Sequence, residues 1–280
     1  LRPFHMPSAI DYGPGGRCQR CGTCDAFACR FDAKGDADTR ILRPLLGHPD
    51  VTLWTGAQVM RLIADADGSR IVAAEIRREG ETTRIEAPLF VLSAGAINSA
   101  LILLRSASEA HPVGLANRSG VVGRYLMNHH LTGLMGVRPL RPNDTRFPKT
   151  LSVNDFYHGI PGDGSARGNI QMLGNIGGAM IRSAYPAAPR WAANWLGRHS
   201  VDFLTMSEDL PNRDSRVRLL GNGGVEVDYR PGGTRGHDRF VRHVRRLLRQ
   251  IGFPFVLRHS FGIEAPSHQC GTVRMGTDPG

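Results

Sequence analysis

Ala87-Pro88-Leu89-Phe90-Val91-Leu92-Ser93-Ala94-Gly95-Ala96-Ile97-Asn98-Ser99 is the stretch on which the fold turns. It opens with an apolar run of strand length that shows no polar alternation. Such a run reads as a strand buried on both faces, the signature of a parallel sheet covered by helices. It passes into a turn of small residues and then into a helix expected over Ile97 to Ser106. Ala94 and Gly95 leave room for a ligand beyond the carboxyl end of the strand, where open α/β sheets bind cofactors. Turns of this kind are common, so the turn by itself selects no ligand.

Upstream of it the pattern is that of an antiparallel meander. Val51 to Trp54 and Val59 to Ile63 read as strands, followed by Ile71 to Arg78 and Thr83 to Ile85, with turns at Asp65–Gly68 and Gly80. Before that, residues 36–47 form a helical pattern with Ile41, Leu42, Leu45 and Leu46 on one side, and residues 1–17 read as an extended loop. Downstream, Leu131–Val137, Asn169–Leu173, Ser200–Met206, Val217–Leu220 and Val225–Arg230 read as strands. Gly221-Asn222-Gly223-Gly224 is a hairpin turn between the last two. Thr234 to Ile251 carries Phe240, Val241, Val244, Leu247, Leu248 and Ile251 at helical spacing, an amphipathic helix. Trp191 and Trp195, four apart on another helix, read as core residues, with a place in a substrate pocket as the alternative. Glu208-Asp209 are adjacent on a loop and seldom converge as a catalytic pair.

The composition, 41% hydrophobic and 21% charged over 280 residues, suits a globular chain of one large or two smaller domains. No run reaches the ~18 apolar residues of a membrane helix. The formal charge of +10 is almost wholly arginine, since only Lys34 and Lys149 are lysines. The arginines are scattered, and the dense run from Arg235 to Arg249 sits on a helix with its own apolar face, so a solvated face is favoured over a nucleic-acid surface. Four of the five cysteines, Cys18, Cys21, Cys24 and Cys29, fall in a C-x2-C-x2-C-x4-C cluster. Residues three apart rarely form disulfides of good geometry, so the cluster reads as a metal or iron–sulfur set or as a structural loop of free thiols. The last spacing of four and the Arg30 that follows depart from the ferredoxin run.

One further stretch, Ser267-His268-Gln269-Cys270-Gly271-Thr272-Val273-Arg274-Met275-Gly276, puts a histidine ahead of glycine-marked turns. It resembles the His-x-x-Gly-Thr-x-Arg-Met-Gly segment of glucose–methanol–choline (GMC) flavin oxidoreductases. Other family features follow in order: Ala33-Lys34 after the cysteine loop, Val59 to Leu62, Val91 to Ser99, and Gly114-Leu115-Ala116-Asn117-Arg118-Ser119-Gly120-Val121-Val122-Gly123. Arg124-Tyr125-Leu126-Met127-Asn128-His129 is similar to Gly-x-x-Leu-x-Asp-His, with Asn128 in place of Asp.

The resemblance implies an α/β (α+β) fold: part of a Rossmann-like FAD-binding domain with an antiparallel-sheet substrate domain. The expected division is residues 1–130 with the inserted meander, 131–262 for the substrate domain, and 263–280 returning to the FAD domain. The implied cofactor is FAD, contacted by the backbone of Val59, by Ala94 and Gly95, and by Asn128 and His129. The implied reaction oxidises a CH–OH group of a small alcohol, sugar or polyol, with His268 taking the hydroxyl proton. The electron acceptor stays open, and nucleic acid is not expected as a partner. The family's Gly-x-Gly-x-x-Gly loop does not occur in these residues, and its second catalytic His or Asn is expected past Gly280, so the chain reads as a fragment. The rival reading is a non-enzymatic or electron-transfer iron–sulfur protein organised by Cys18–Cys29.

Overall fold

The structure, a computed structural model, describes residues 1–21, 24, 28–146, 151–262, 265 and 267–276. Lys149, the residues at 263, 264 and 266, and the stretch from Thr277 to Gly280 lie outside the described residues. In chain order the elements are β1 (Phe4–His5), a π-wound turn (Asp38–Leu42) running into α1 (Arg43–Leu45), β2 (Ala57–Ala64), β3 (Ile71–Arg78), β4 (Glu81–Glu86), α2 (Gly95–Arg105), β5 (His130–Val137), β6 (Leu151–Val153), β7 (Asn169–Gly174), α3 (Gly178–Ala184), α4 (Arg190–Arg198), β8 (Ser200–Ser207), β9 (Arg216–Leu219), β10 (Val225–Asp228), α5 (Thr234–Gln250) and β11 (Phe255–Ser260). They divide into two compact units. One holds Leu1–Thr52, His130–Glu208 and Thr234–Ala265; the other holds Leu53–His129, Asp209–Gly233 and Pro266–Gly280.

The first unit is built on a six-stranded antiparallel sheet, ordered β1-β6-β7-β8-β5-β11. The predicted helix α5 lies on it, contacting β5, β8 and β11. Its spacing turns Phe240, Val241, Val244 and Leu248 inward, where they join Leu134, Ile170, Phe253 and Val256 in one core. Ile251 falls just past the end of α5 and is exposed. Helices α3 and α4 meet through small residues: a Cβ on Gly178 would stand 2.8 Å from the Asn194 nitrogen, and one on Gly197 2.7 Å from the Ile176 carbonyl. That packing claims the Ala193–Gly197 side of α4 and turns the other side out. Trp191 and Trp195 are therefore 76% and 43% exposed, and the expectation that they are core is corrected. The turns over Asp38–Leu45 place a helix where one was expected, yet Ile41, Leu45 and Leu46 stay exposed.

The second unit contains the antiparallel meander β2-β3-β4, as the strand-and-turn pattern predicted, and the hairpin β9-β10. Helix α2 contacts both β2 and β9. One face of it packs Ala100 and Leu103 with Leu115 and Val122, and the other packs Leu101 with Leu126 and Val217. The buried Ser106 hydroxyl donates to the Ile102 carbonyl (2.6 Å) and accepts from the Leu62 amide (2.8 Å), pinning β2 to the end of α2.

Two expected strands do not form. Residues 87–94 pair with no strand among the described residues, and every ladder described is antiparallel. The segment buries one side only: Leu92 packs on the α2 core while Leu89 and Val91 are 76% and 79% exposed. Apolarity on both faces is a property of the segment, but a strand is a property of its partners. Val51–Trp54 likewise lacks a ladder, and the Trp54 ring lies against the Arg78 guanidinium instead, 5.4 Å away.

Candidate functional site

The second unit assembles the predicted site from three segments far apart in sequence. Its first component is the start of α2. Ala94 sits at φ −92°, ψ 17° as the residue before the helix, and Gly95 opens it at φ +74°. The Ala94 amide donates to the Ser99 hydroxyl at 3.1 Å. A side chain on Gly95 would meet nothing within 4 Å, so the first residue of this eleven-residue helix faces open space. Free N–H groups and the positive end of the dipole make such a turn a natural neighbour for electron-rich ligand atoms.

The second component is Gly123–His129, and the third is Ser267–Gly276, which runs alongside it. Met127 and Cys270 exchange backbone hydrogen bonds at 3.0 and 3.1 Å, the His129 amide donates to the Ser267 carbonyl at 3.1 Å, and the Gly123 amide donates to the Thr272 carbonyl at 2.8 Å. Gly123 in turn accepts from the Val217 amide at 2.7 Å, which joins the hairpin β9-β10 to the same knot. Gly271 takes φ +93° directly over the Tyr125 carbonyl, leaving no room for a Cβ. The Arg274 guanidinium lies 4.6 Å from the centre of the Tyr125 ring.

One bond links the third component to the first. Thr272, 1% exposed, donates its hydroxyl to the Ala96 carbonyl at 2.6 Å, in the first turn of α2. The histidine three residues ahead of Gly271 is thereby fixed relative to that turn. His268 is exposed and its backbone stands at φ +57°, a left-handed conformation that few non-glycine residues adopt. Its ring meets the edge of His129, with centroids 4.9 Å apart and planes at 89°.

Asn128 is buried, and its Oδ1 has no hydrogen-bond partner among the described residues. Its backbone N–H donates to the Asp209 carboxylate at 3.5 Å. Asp209, set aside on sequence grounds as half of an adjacent loop pair, anchors several groups here. It is buried and accepts from the Leu210 amide (2.8 Å), the Gly232 amide (2.7 Å) and the Tyr229 hydroxyl (2.8 Å). Burial first, and this carboxylate second, hold the Tyr229 hydroxyl well above its ordinary pKa, so it stays a donor. Nothing in the sequence signals this pairing across a loop and a hairpin. Val59 lies on β2 beside a bulge, where the ladder with β3 shifts register between Val59 and Arg61.

The structure thus brings Ala94, Gly95, Asn128, His129 and His268 into one unit with Val59. The open face of Gly95 and the orphaned Asn128 Oδ1 fit the flavin that the resemblance implies. The four clustered cysteines form a separate set. All four are described, and among the described residues no group of three or more His, Cys, Asp or Glu side chains is placed to hold a metal ion. Cys29 instead receives the Ala33 amide on its sulfur at 3.4 Å, and that bond leads the lowering of its thiol pKa. The Lys34 ammonium donates to the Cys24 carbonyl at 2.5 Å. No helix among the described residues is long and apolar enough to cross a membrane.

Comparison with known proteins agrees with this geometry. A family model described as GMC oxidoreductase matches residues 10–131. The chain is similar to 6'''-hydroxyparomomycin C oxidase of Streptomyces lividus, at 32% identity over 99% of this chain and 52% of the relative. It is 31% identical to paromamine 6'-oxidase of Streptomyces fradiae, over 99% of this chain and 53% of the relative. The chain therefore spans about half the length of the curated relatives it matches. Among solved structures, pyridoxine 4-oxidase from Mesorbium loti superposes with a TM-score of 0.56 at 22% identity, covering 90% of this chain and 53% of that one, a likeness of fold. The mixed α/β architecture with antiparallel sheets, the histidine segment knotted onto the first turn of α2, and these relatives agree: the chain belongs to the GMC oxidoreductase family.

Proposed function

We propose that this chain carries the histidine side of an FAD-dependent active site that oxidises a CH–OH group on a small alcohol or sugar. The observation that supports this reading most is the bond from Thr272 to the Ala96 carbonyl, which ties the His268 segment to the open first turn of α2. Bound there, flavin supplies the hydride acceptor. Ala94, Gly95 and the backbone of Val59 hold it, and Asn128 offers its orphaned carbonyl oxygen as an acceptor. The residues around His268 do the remaining work. An alcohol gives up hydride more readily as its O–H proton departs, and an imidazole accepts that proton near neutral pH. The His129 ring, edge-on at 4.9 Å, restricts how the His268 ring can turn. The strained backbone of His268, worth about 1–3 kcal/mol, is maintained by the hydrogen bonds on either side of it.

The two Streptomyces relatives are named as oxidases of 6'''-hydroxyparomomycin C and of paromamine at its 6' position, and a further relative, 30% identical over 72% of this chain, is named 2-methyl-1,2-propanediol dehydrogenase. These names favour a hydroxyl-bearing small molecule as substrate. In this reading the unit with residues 267–276 is the FAD-binding part, and the unit with the six-stranded sheet is the substrate-binding part. The test is His268→Ala in the FAD-loaded enzyme, followed by anaerobic stopped-flow. Flavin stays bound, and its reduction by alcohol slows by about 10²–10⁴, the usual contribution of one general base. Reduction at the wild-type rate would remove His268 from the mechanism.

A further inference from the structure

Beyond the candidate site, the second unit contains a cavity of about 340 Å³ lined by Arg124, Arg216, Arg218 and Asn117, with Leu104 and Val113 among its apolar walls. It lies toward the other end of α2. Leu104 is nine residues from Gly95, about 14 Å along the helix at 1.5 Å per residue.

The charges here are arranged unfavourably for an empty surface. Arg124 and Arg216 stand directly opposite one another in an antiparallel bridge. Side chains so paired start about 4.5–5.5 Å apart, and like charges in that position repel. The nearby acids are already engaged. Glu226 is held by Arg218, and both oxygens of Asp228, which faces Arg216 across the hairpin, go to Arg230 at 3.1 and 2.7 Å. The Arg124 Nε donates to the Gly120 carbonyl at 2.9 Å and has no carboxylate partner among the described residues. The Arg216 Nε is buried with no hydrogen-bond partner at all among them. A buried guanidinium N–H left unpaired is costly, and the remaining N–H donors of a guanidinium form a fork that fits a bidentate oxyanion.

We propose that this cavity binds a small molecule in which an oxyanion, phosphate or carboxylate, is borne on an apolar group. Arg216 and Arg124 take the oxyanion between them, which gives Arg124 the counter-charge it lacks among the described residues, and the Leu104 and Val113 side takes the apolar part.

Phenyl phosphate is the probe, titrated calorimetrically into the purified protein at low salt, with inorganic phosphate and phenol as separate arms. Phenyl phosphate should bind more tightly than either arm. Arg216→Gln and Arg124→Gln should each weaken it about tenfold or more, the loss of a charge-assisted contact. Raising NaCl to about 0.5 M should weaken it as well. The absence of saturable heat up to about 10 mM phenyl phosphate, equal affinity in both variants, or phenol binding as tightly as phenyl phosphate would each overturn the proposal. A measurement on the wild type alone guards against variants that misfold. Phenyl phosphate should protect Arg216 and Arg124 from phenylglyoxal, mapped by mass spectrometry, and modification of both at an undiminished rate would also overturn it.

Discussion

Replacing Gly271 by alanine tests the knot that holds His268. Two separate penalties fall on this substitution. The backbone at φ +93° is one that alanine tolerates poorly, at about 1–3 kcal/mol. The new methyl would also collide with the Tyr125 carbonyl oxygen and come within 3.0 Å of the Met127 Cε. That carbonyl cannot step aside freely, because the Met127–Cys270 bridge fixes the chain two residues later. Relief of an overlap of this kind costs a further 1–3 kcal/mol or so. The sum is roughly 2–6 kcal/mol, or about 1 M or more off the urea midpoint at a slope near 2 kcal/mol/M. Gly80→Ala isolates the steric part. Gly80 lies in the same unit at φ +88°, and its Cβ would meet nothing within 4 Å, so it incurs the backbone penalty alone. Urea unfolding followed by circular dichroism should place Gly271→Ala clearly below Gly80→Ala. If the two agree within about 0.5 kcal/mol, the segments 125–127 and 270–272 are not packed as described.

Ser106→Ala should cost about 1–3 kcal/mol, since the Leu62 amide loses its partner, and hydrogen exchange at Leu62 should quicken accordingly. Trp191→Ala should leave stability within about 0.5 kcal/mol of wild type, as its 76% exposure requires. Burial lowers the pKa of His237 from 6.5 to about 4, with Ser207 Oγ and Thr132 Oγ1 at 2.8 and 2.9 Å from its ring nitrogens. The unfolded chain takes up this proton first, so stability is lost as pH falls from 6.5 through 4, by about 3 kcal/mol, and His237→Asn should lose that part of the pH dependence. Burial raises Asp202 to about 7, with the opposite sign: its contribution is present below pH 3.8 and lost as pH rises through 7. Asp202→Asn should therefore gain on wild type between pH 5 and 8, as thermal melts at the two pH values would register.

Much of the architecture was legible because it depends on local spacing. The strand-like run between turns located β3 at Ile71–Arg78 to the residue, and the Phe240–Val244–Leu248 period located α5. The histidine segment was legible as a motif, and its glycines mark positions where the backbone must be bare. Failures came where the answer lies in a partner. Helical spacing says that Trp191 and Trp195 share a face of α4, but Gly178 and Gly197 decide which face is inward. The apolar run 89–92 says nothing about whether a ladder lies beside it. The buried carboxylate of Asp209 serves Tyr229 and Gly232, 20 and 23 residues away, at a spacing no local rule encodes. The sulfurs of Cys18 and Cys29 accept the Arg20 and Ala33 amides, contacts that cysteine spacing alone does not encode.

The hydrogen bond from Thr272 to Ala96 spans 176 residues. A ribosome adding about 5–20 residues per second needs roughly 9–35 s to make that stretch. During that time α2 exists without the residue that clasps its first turn. The strands of the six-stranded sheet, from β5 onward, emerge in the interval, and their ladders β5-β8 and β7-β8 join residues already synthesised. Folding on the ribosome is thus ordered by the topology: the ladders β5-β8 and β7-β8 can close before Thr272 arrives to clasp the first turn of α2.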